Sequence, residues 1–210
     1  MNQTQMLNID VVIDGKTMRI SAQERVEFVQ LYGIDMLVPN RYSQLLIVDL
    51  MINLKVNGID PSLIIDEIKR LENPSVEVYT KNATQFDYPP LKPLWHQHYF
   101  SAHYLVPNIQ NEIKKDFEAI WDSSMGPEGS AIEQRHLDSL VHNVVEGTIE
   151  KRSNERRITS EWLVFSKEAT GNIYLCMATH DMGDQNIFNK LAYCCERQFP
   201  SLEPFASARS

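Results

Sequence analysis

The sequence predicts an α+β fold, in which about five to six helices pack on a small antiparallel sheet centred on a C-terminal β-hairpin. Residues 160–180 are the first indication, because aromatic and β-branched side chains lie on both sides of a short break at residues 169–172. Elsewhere, apolar residues recur at helical spacing behind serine and aspartate caps. Hydrophobic residues make up 43% of the chain, an ordinary share that is sufficient for a core.

The first predicted elements are a hairpin and a helix. Residues 7–13 and 16–20 have the composition of two strands, and the Asp-Gly dipeptide between them supplies the turn that a two-residue loop requires. Ser21 and Glu24 have the spacing of a capping box, which predicts that a helix begins there. We expect this helix to end at Gly33 with a left-handed cap.

Two further helices complete the predicted N-terminal subdomain. Residues 41–56 are apolar on most sides of a helix and therefore suit the centre of the core. In the next helix, Asp60 is the expected cap and Pro61 the first helical residue. We assign residues 1–80 to this subdomain and residues 81–210 to the part that carries the candidate site.

The second half of the chain begins with a proline-rich break at residues 88–93, which predicts a linker or a well-fixed loop. Helices are predicted over residues 107–122 and, from a capping box at Ser130, to about residue 150. A last helix is expected to begin at Asp184.

The C-terminal hairpin also has a predicted register. If Thr170 and Gly171 form its loop, Ala169 faces Asn172 and the pairing continues outward. The expected pairs are Lys167 with Tyr174, Phe165 with Cys176, Leu163 with Ala178, and Glu161 with His180. One face of the hairpin is then almost wholly apolar, and the other brings a carboxylate next to an imidazole.

Composition limits the classes of partner. The net charge of -8 argues against duplex binding, which usually leaves a basic footprint. Residues 151–157 (KRSNERR) are an exception, and they fit either a solvated helix end or a phosphate-binding edge with Arg156 and Arg157. No apolar run approaches the ~18 residues of a membrane span, and the N-terminal residues lack the pattern of a secretory signal. Three cysteines, an odd number, suit a reducing cytoplasm.

Three of the six histidines lie within residues 95–103. In a strand, His96 and His98 point the same way and could share a metal ion; in a helix, His96 and His103 lie on one face. Neither spacing is the His-x-x-x-His of a helical zinc site, so a metal centre is the minor alternative. We predict no metal and no other cofactor, and we expect at least one of these histidines to be a hydrogen-bonded core residue beside Trp95 and Phe100.

Cleavage of RNA without a metal needs a base for the 2′-hydroxyl proton, an acid for the leaving oxygen and a cation or donor for the phosphorane charge. The side chains that could fill these roles are His96, His98, Glu161, Lys167, Tyr174 and His180, with Arg156 and Arg157 on the phosphate. Helices followed by an antiparallel sheet with such groups resemble the architecture of small bacterial toxin endoribonucleases. The sequence therefore predicts a metal-independent, toxin-like RNA-cleaving enzyme.

The alternative is a non-catalytic acidic protein that binds or inhibits another protein. An acidic surface attracts basic partners by electrostatic steering, and the helical N-terminal part contains no catalytic motif. This alternative requires an exposed apolar or acidic patch, for example around residues 45–54 or in the proline-rich segment. The enzyme requires instead that the candidate side chains converge on one cleft.

Overall fold

A computed structural model describes residues 8–13, 15–73, 82–99, 105–125, 133–144 and 161–206. The chain divides into two compact units, one formed by residues 1–100 and 161–210 and the other by residues 101–160. The predicted α+β class is confirmed, since α-helices accompany two antiparallel sheets. The predicted subdomain boundary near residue 80 falls between two described ranges and stays a prediction.

The predicted N-terminal hairpin is present as strands β1 (Ile9–Ile13) and β2 (Lys16–Ile20), whose register leaves two residues for the connecting loop. Helix α1 (Ala22–Leu31) follows, and its capping box is confirmed. The N–H of Glu24 donates to Oγ of Ser21 at 3.1 Å, and the N–H of Ser21 donates to the Glu24 carboxylate at 2.8 Å.

Helices α2 (Ile34–Leu37) and α3 (Gln44–Asn57) come next. Gly33 separates α1 from α2 and has the predicted left-handed conformation, with φ of 65°. The third helix begins later than the predicted start at residue 41, because Ser43 caps it and the residues before Ser43 are extended. Most of its first two turns is buried, as its apolar sequence predicts.

Helix α4 (Pro61–Glu72) is the third predicted helix. Asp60 is its N-cap, accepting a hydrogen bond from the N–H of Ser62 at 2.9 Å. Ile64 and Ile68, one turn apart, are fully buried. The cap and the helix start at Pro61 are as predicted from the local sequence.

The second sheet has four antiparallel strands in the order β3–β4–β5–β6. They are β3 (Thr84–Gln85), β4 (Trp95–Tyr99), β5 (Glu161–Glu168) and β6 (Gly171–Ala178). The proline-rich segment between β3 and β4 is a fixed loop, in which the N–H of Phe86 donates to the carbonyl of Leu94 at 3.0 Å. Strands β5 and β6 are the predicted C-terminal hairpin.

The predicted register of this hairpin is wrong. Glu168 pairs with Gly171, so the loop lies one residue earlier than predicted, and an irregularity between Val164 and Phe165 shifts the register again. The observed pairs include Lys167 with Asn172, Phe165 with Tyr174, Leu163 with Met177, and Trp162 with Ala178, where β6 ends. The predicted pair of Glu161 with His180 is therefore not part of the sheet. A bulge adds an unpaired residue to one strand, and its position cannot be read from the turn sequence.

Strand β6 forms one edge of the sheet, and the chain around the start of α3 covers that edge. The N–H of Tyr174 donates to the carbonyl of Arg41 at 2.9 Å, and the N–H of Ser43 donates to the carbonyl of Tyr174 at 2.8 Å. Oγ of Ser43 donates to the carbonyl of Leu175. Because these backbone groups are occupied, this part of the edge is not open for pairing with another strand.

An apolar core lies on one face of the sheet, against helices α7 (Asp184–Cys195) and α8 (Glu203–Ala206). Its members include Trp162, Val164, Cys176 and Ala178 of the sheet, Ile187 and Leu191 of α7, and Phe205 of α8. The helix predicted to begin at Asp184 is confirmed. The described residues contain more helices than predicted, because single turns such as α2 and α8 leave no periodic pattern.

The second unit contains the described helices α5 (Leu105–Ser124) and α6 (Gln134–His142). Nδ2 of Asn143 donates to Oγ of Ser124 at 3.0 Å, so the two helices are joined where they end. Ser130 itself lies outside the described residues, but the helix start predicted there is wrong, because Glu133, expected in the first turn, is extended and is the N-cap of α6. Across the part of the chain that the structure describes, none of the helices has both the length and the hydropathy needed to cross a bilayer.

Candidate functional site

The two faces of the four-stranded sheet separate the predicted site residues. His98 pairs with Trp162, whereas the next residue, Tyr99, pairs with Glu161. Paired residues lie on the same face and successive residues alternate between faces, so His96 and His98 share a face with Trp162. Glu161 lies on the opposite face. The structure does not bring Glu161 together with either histidine.

We call the side of the sheet that carries His96, His98, Thr84, Phe86 and Trp162 the histidine face. The two imidazole centroids lie 5.4 Å apart in an edge-to-face arrangement. The His96 ring lies 4.6 Å from that of Phe86 and 4.8 Å from that of Trp162. Both histidines are half-buried, whereas the two larger aromatic residues are buried. Buried aromatic rings therefore hold two imidazoles side by side at a partly accessible position.

The two-residue strand β3 and the residue after it position the ring of His96. Strand β3 pairs Thr84 with His96, and Oγ1 of Thr84 lies 3.0 Å from Nε2 of His96, within hydrogen-bonding distance. Phe86 follows β3 directly and is buried beneath the histidine. The expected hydrogen-bonded histidine is thus His96, although its aromatic neighbours are Phe86 and Trp162. The common direction of His96 and His98 follows from the two-residue period of a strand, which was one of the two arrangements that the sequence left open.

Glu161 occupies a buried position on the opposite face, where 6% of its surface is exposed. The hydroxyl of Tyr99 donates a hydrogen bond to its carboxylate. Burial, with the negative charge of Asp49, raises the pKa of Glu161 to about 7, and the charge of Lys190 opposes this shift. Glu161 therefore keeps its proton over a wider pH range than an exposed glutamate, but a polymeric substrate cannot reach it directly.

Asp49 and Lys190 form an ion pair that sequence reasoning missed. Nζ of Lys190 lies 2.8 Å from Oδ1 of Asp49 and donates to the carbonyl of Met177 at 3.1 Å. Oδ2 of Asp49 accepts a hydrogen bond from the N–H of Met177 at 2.9 Å. Burial raises the pKa of Asp49. Burial also acts to lower the pKa of Lys190, but the interactions with Asp49 and Cys176 together outweigh it, so the pKa of Lys190 is raised. The signal in the sequence was a carboxylate inside the apolar run 45–51.

Lys167 and Tyr174 occupy separate positions. Nζ of Lys167 lies 3.4 Å from the centroid of the Trp95 ring, a cation–π contact of an exposed lysine. Tyr174 is fully buried, and its hydroxyl donates to Oε1 of Glu72 at 2.8 Å. Burial raises the pKa of Tyr174, and the Glu72 carboxylate adds to the shift. Because Arg41 also pairs with Glu72, at 2.5 Å, Tyr174 belongs to a network that joins α4 to β6.

His180 and the arginines at 156–157 complete the predicted set. The backbone of His180 lies in a short 3-10 turn that follows β6. Its side chain and the two arginines lie outside what the structure describes. Ala178 pairs with Trp162, which pairs with His98, so the chain leaves β6 at the end of the sheet where His98 lies. The participation of these three residues stays a prediction.

Metal-ligating and thiol side chains do not form a further centre among the described residues. No three or more histidine, cysteine, aspartate or glutamate side chains in those ranges lie close enough to hold one metal ion. Cys176 is buried in the apolar core, and burial raises the pKa of its thiol well above the usual value. Burial also raises the pKa of Cys195 to about 12. Both thiols are therefore core side chains.

Accessibility distinguishes the histidine face from the buried polar clusters. Glu161 and Asp49 are 6% and 7% exposed, whereas His96 and His98 are half-buried. No family model matches the chain, and the comparisons with curated proteins and with solved structures found no match. A function has therefore to be inferred from side-chain chemistry. On the histidine face both imidazoles are half-buried; Nδ1 of His96 is buried, and its Nε2 lies beside the hydroxyl of Thr84.

Proposed function

We propose that the protein cleaves RNA without a metal ion and that His96 and His98 are its acid–base pair. The observation that carries this proposal is the 5.4 Å separation of two half-buried imidazoles on one face of the sheet. At this separation, both rings can contact one phosphodiester once the substrate takes the place of the Thr84 hydroxyl at Nε2 of His96. Imidazole suits both roles because it titrates near neutral pH, so one ring can hold a proton while the other accepts one.

In the proposed reaction, the 2′-oxygen of a ribose attacks the adjacent phosphorus while the neutral imidazole takes the 2′-hydroxyl proton. The bond between the 2′-oxygen and phosphorus forms as the bond between phosphorus and the 5′-oxygen breaks. The protonated imidazole gives its proton to that leaving oxygen. The products are a 2′,3′-cyclic phosphate and a free 5′-hydroxyl, so atoms and charges balance without another reactant.

Two neighbours support the imidazole pair. The Thr84 hydroxyl lies at hydrogen-bonding distance from Nε2 of His96, so it fixes that ring until a substrate takes its place. Trp162 lies 4.8 Å from His96 and 6.3 Å from His98, so it limits the movement of both rings. We regard Thr84 and Trp162 as positioning residues.

The phosphorane charge requires a cation or a hydrogen-bond donor. His180 is proposed for this role, because its backbone follows the strand end nearest His98. The part of Arg156 and Arg157 stays a prediction from the sequence. Glu161 and Tyr174 are buried in other contacts. Lys167 is engaged with an aromatic ring on the opposite face. We therefore leave Glu161, Tyr174 and Lys167 out of the proposed catalytic set.

The proposal is tested with wild type, His96→Ala and His98→Ala in excess chelator. Wild type should release products with 2′,3′-cyclic phosphate ends from mixed-sequence RNA, and none from DNA, which lacks the 2′-hydroxyl. Each variant should lose about 100-fold in rate, the usual contribution of one acid or base. His142→Ala changes an exposed histidine of α6 and should keep the wild-type rate.

Circular dichroism establishes that each variant is folded before its rate is compared. Equal rates for wild type and both histidine variants would overturn the assignment of His96 and His98. If folded wild type cleaves none of several RNAs, the nuclease proposal fails as a whole. The acidic interaction protein would then be the better account of the chain.

A further inference from the structure

Helix α5 carries a groove that the proposed reaction does not use. Phe117, Glu118, Trp121 and Asp122 line it, and its volume is about 300 Å³. The aromatic rings lie 5.9 Å apart, and Phe117 and Trp121 are 48% and 40% exposed. Adjacent exposed aromatic side chains on one helix face are a feature of contact surfaces.

Two carboxylates run beside the aromatic pair. Glu118 and Asp122 are four residues apart, as are Phe117 and Trp121, so an acidic stripe and an aromatic stripe follow the same turn of α5. Within the described part of the chain, neither carboxylate belongs to an ion pair. The groove therefore combines apolar surface with two carboxylates that form no ion pair within the described residues, although Lys114 and Lys115 lie one turn before Glu118 on the same helix.

The neighbouring helix α6 enlarges the apolar surface of this unit. Leu137 and Val141 lie one turn apart on α6 and are 43% and 63% exposed. Helices α5 and α6 contact each other. Exposed aliphatic as well as aromatic side chains therefore occur in this unit.

We propose that this acidic–aromatic groove binds a positively charged amphipathic α-helix of another protein. Lysine or arginine side chains one turn apart on that helix pair with Glu118 and Asp122. An apolar side chain between them packs on Phe117 and Trp121, and a cation over the Trp121 ring adds a cation–π contact. The net charge of -8 attracts such a partner from a distance.

The charge of the groove disfavours other occupants. Phosphates of RNA and anionic lipid headgroups are repelled by Glu118 and Asp122. A second copy of the chain would bring an identical acidic stripe to a two-fold contact, where like charges oppose each other. A basic helix satisfies both the apolar and the charged parts of the surface.

The test is calorimetric titration of the full chain with a synthetic leucine–lysine peptide that forms a basic amphipathic helix. Wild type should bind this peptide, and a scrambled peptide of the same composition should bind about tenfold more weakly or worse. Trp121→Ala should weaken binding by about tenfold, and Glu118→Lys combined with Asp122→Lys should abolish it. High salt should weaken the wild-type complex.

Two control variants match the groove variants, one in the change of net charge and the other in the loss of one exposed aromatic ring. Asp87→Lys combined with Asp181→Lys makes the same charge change at exposed positions of the first unit. Tyr193→Ala removes a ring that is 89% exposed on α7. Both controls should bind the helical peptide within about twofold of wild type.

Three outcomes would overturn the proposal. Wild type could fail to bind the peptide at low salt, or the charge control could lose binding as completely as the groove variant. The third is self-association of wild type that Trp121→Ala abolishes, which would make the groove an interface between copies. Because this titration uses no RNA, its result is independent of the proposed cleavage.

Discussion

Glu161 keeps its proton to about pH 7 in the folded chain, because burial and the negative charge of Asp49 raise its pKa from 4.5. In the unfolded chain the same carboxyl group loses its proton near the ordinary value. Between these two pH values the folded state binds more protons than the unfolded state. The contribution of Glu161 to stability is therefore complete below about pH 4.5 and is lost as the pH rises to about 7.

The first prediction concerns Glu161→Gln. The amide keeps an oxygen for the Tyr99 hydroxyl but cannot ionise, so the variant should lack the part of the pH dependence that Glu161 causes. Between about pH 4.5 and 7, the free energy of unfolding should fall by up to about 3 kcal/mol more in wild type than in the variant. Urea unfolding across this pH range measures the difference, with Glu168→Gln, at an exposed position of β5, as the control. Parallel curves for wild type and Glu161→Gln would refute the prediction.

The second prediction concerns the buried ion pair. Lys190→Met leaves the Asp49 carboxylate desolvated without its cation and should lower the free energy of unfolding by about 3 kcal/mol. Adding Asp49→Asn should recover part of that loss, because a neutral amide can still accept from the N–H of Met177. Chemical denaturation of the two single variants and the double variant gives the coupling energy.

The exposed pair of Lys69 with Asp66 is the matched control for this cycle. Lys69→Met should cost no more than about 1 kcal/mol, as is usual for ion pairs in water. Additive effects of Lys190→Met and Asp49→Asn would show that the buried charges do not stabilise each other.

At the scale of elements, the edge of β6 is closed by side chains from other parts of the chain. The guanidinium of Arg41 donates to Glu72 and, at 3.0 Å, to the carbonyl of Asn172. Gly171 begins the strand with φ of +112°, and an ideal Cβ there would lie 2.6 Å from Nη1 of Arg41. The guanidinium can therefore reach the strand only because residue 171 has no side chain.

The third prediction compares two glycines. Gly58→Ala places a side chain at φ of +65° with nothing within 4 Å, so its cost should be the backbone strain of about 1 kcal/mol. Gly171→Ala must also displace Arg41 from its hydrogen bonds and should cost roughly 2–4 kcal/mol. Denaturant unfolding of both variants measures the costs, and equal values would mean that Arg41 moves away without loss.

Local signals located the helix ends well. The caps at Ser21 and Asp60 and the left-handed glycine at residue 33 depend on side chains within one turn, so the sequence alone was sufficient. The register of β5 against β6 was not predicted correctly. It depends on the bulge after Val164 and on the contact of Gly171 with Arg41, which lies far away in sequence.

At the scale of the whole molecule, residues 101–160 lie between two strands that pair directly. Tyr99, the last residue of β4, faces Glu161, the first residue of β5. Partners in an antiparallel pair lie about 5 Å apart, a distance that a two-residue turn spans. The first unit has its own apolar core and its own four-stranded sheet. The second unit is therefore an insertion in a β-hairpin.

The fourth prediction follows from this topology. A variant in which Asn-Gly replaces residues 100–160 should fold, because the turn joins Tyr99 to Glu161 with the register that they already have. Thermal unfolding followed by circular dichroism should show one cooperative transition. An unfolded product would mean that the first unit depends on residues 101–160 for its stability.

The candidate site was predicted in part. The sequence indicated that His96 and His98 would point the same way if they lay in a strand, and it left a helix, with His96 and His103 on one face, as the alternative. It did not indicate that Thr84 and Phe86 would flank them, since β3 is only two residues long and carries no strand pattern. Glu161 was expected beside an imidazole and lies instead beneath Tyr99, near the charges of Asp49 and Lys190.

The sequence by itself determined the α+β class, the capped helix starts and the two hairpins, because propensity, capping and turn chemistry act over a few residues. Tertiary structure alone decided which residues face each other across the sheet and which charges are buried. A strand presents either face to the core depending on its register, and a shift of one residue exchanges the two faces. The bulge in the C-terminal hairpin makes such a shift, and long-range contacts determine where it lies.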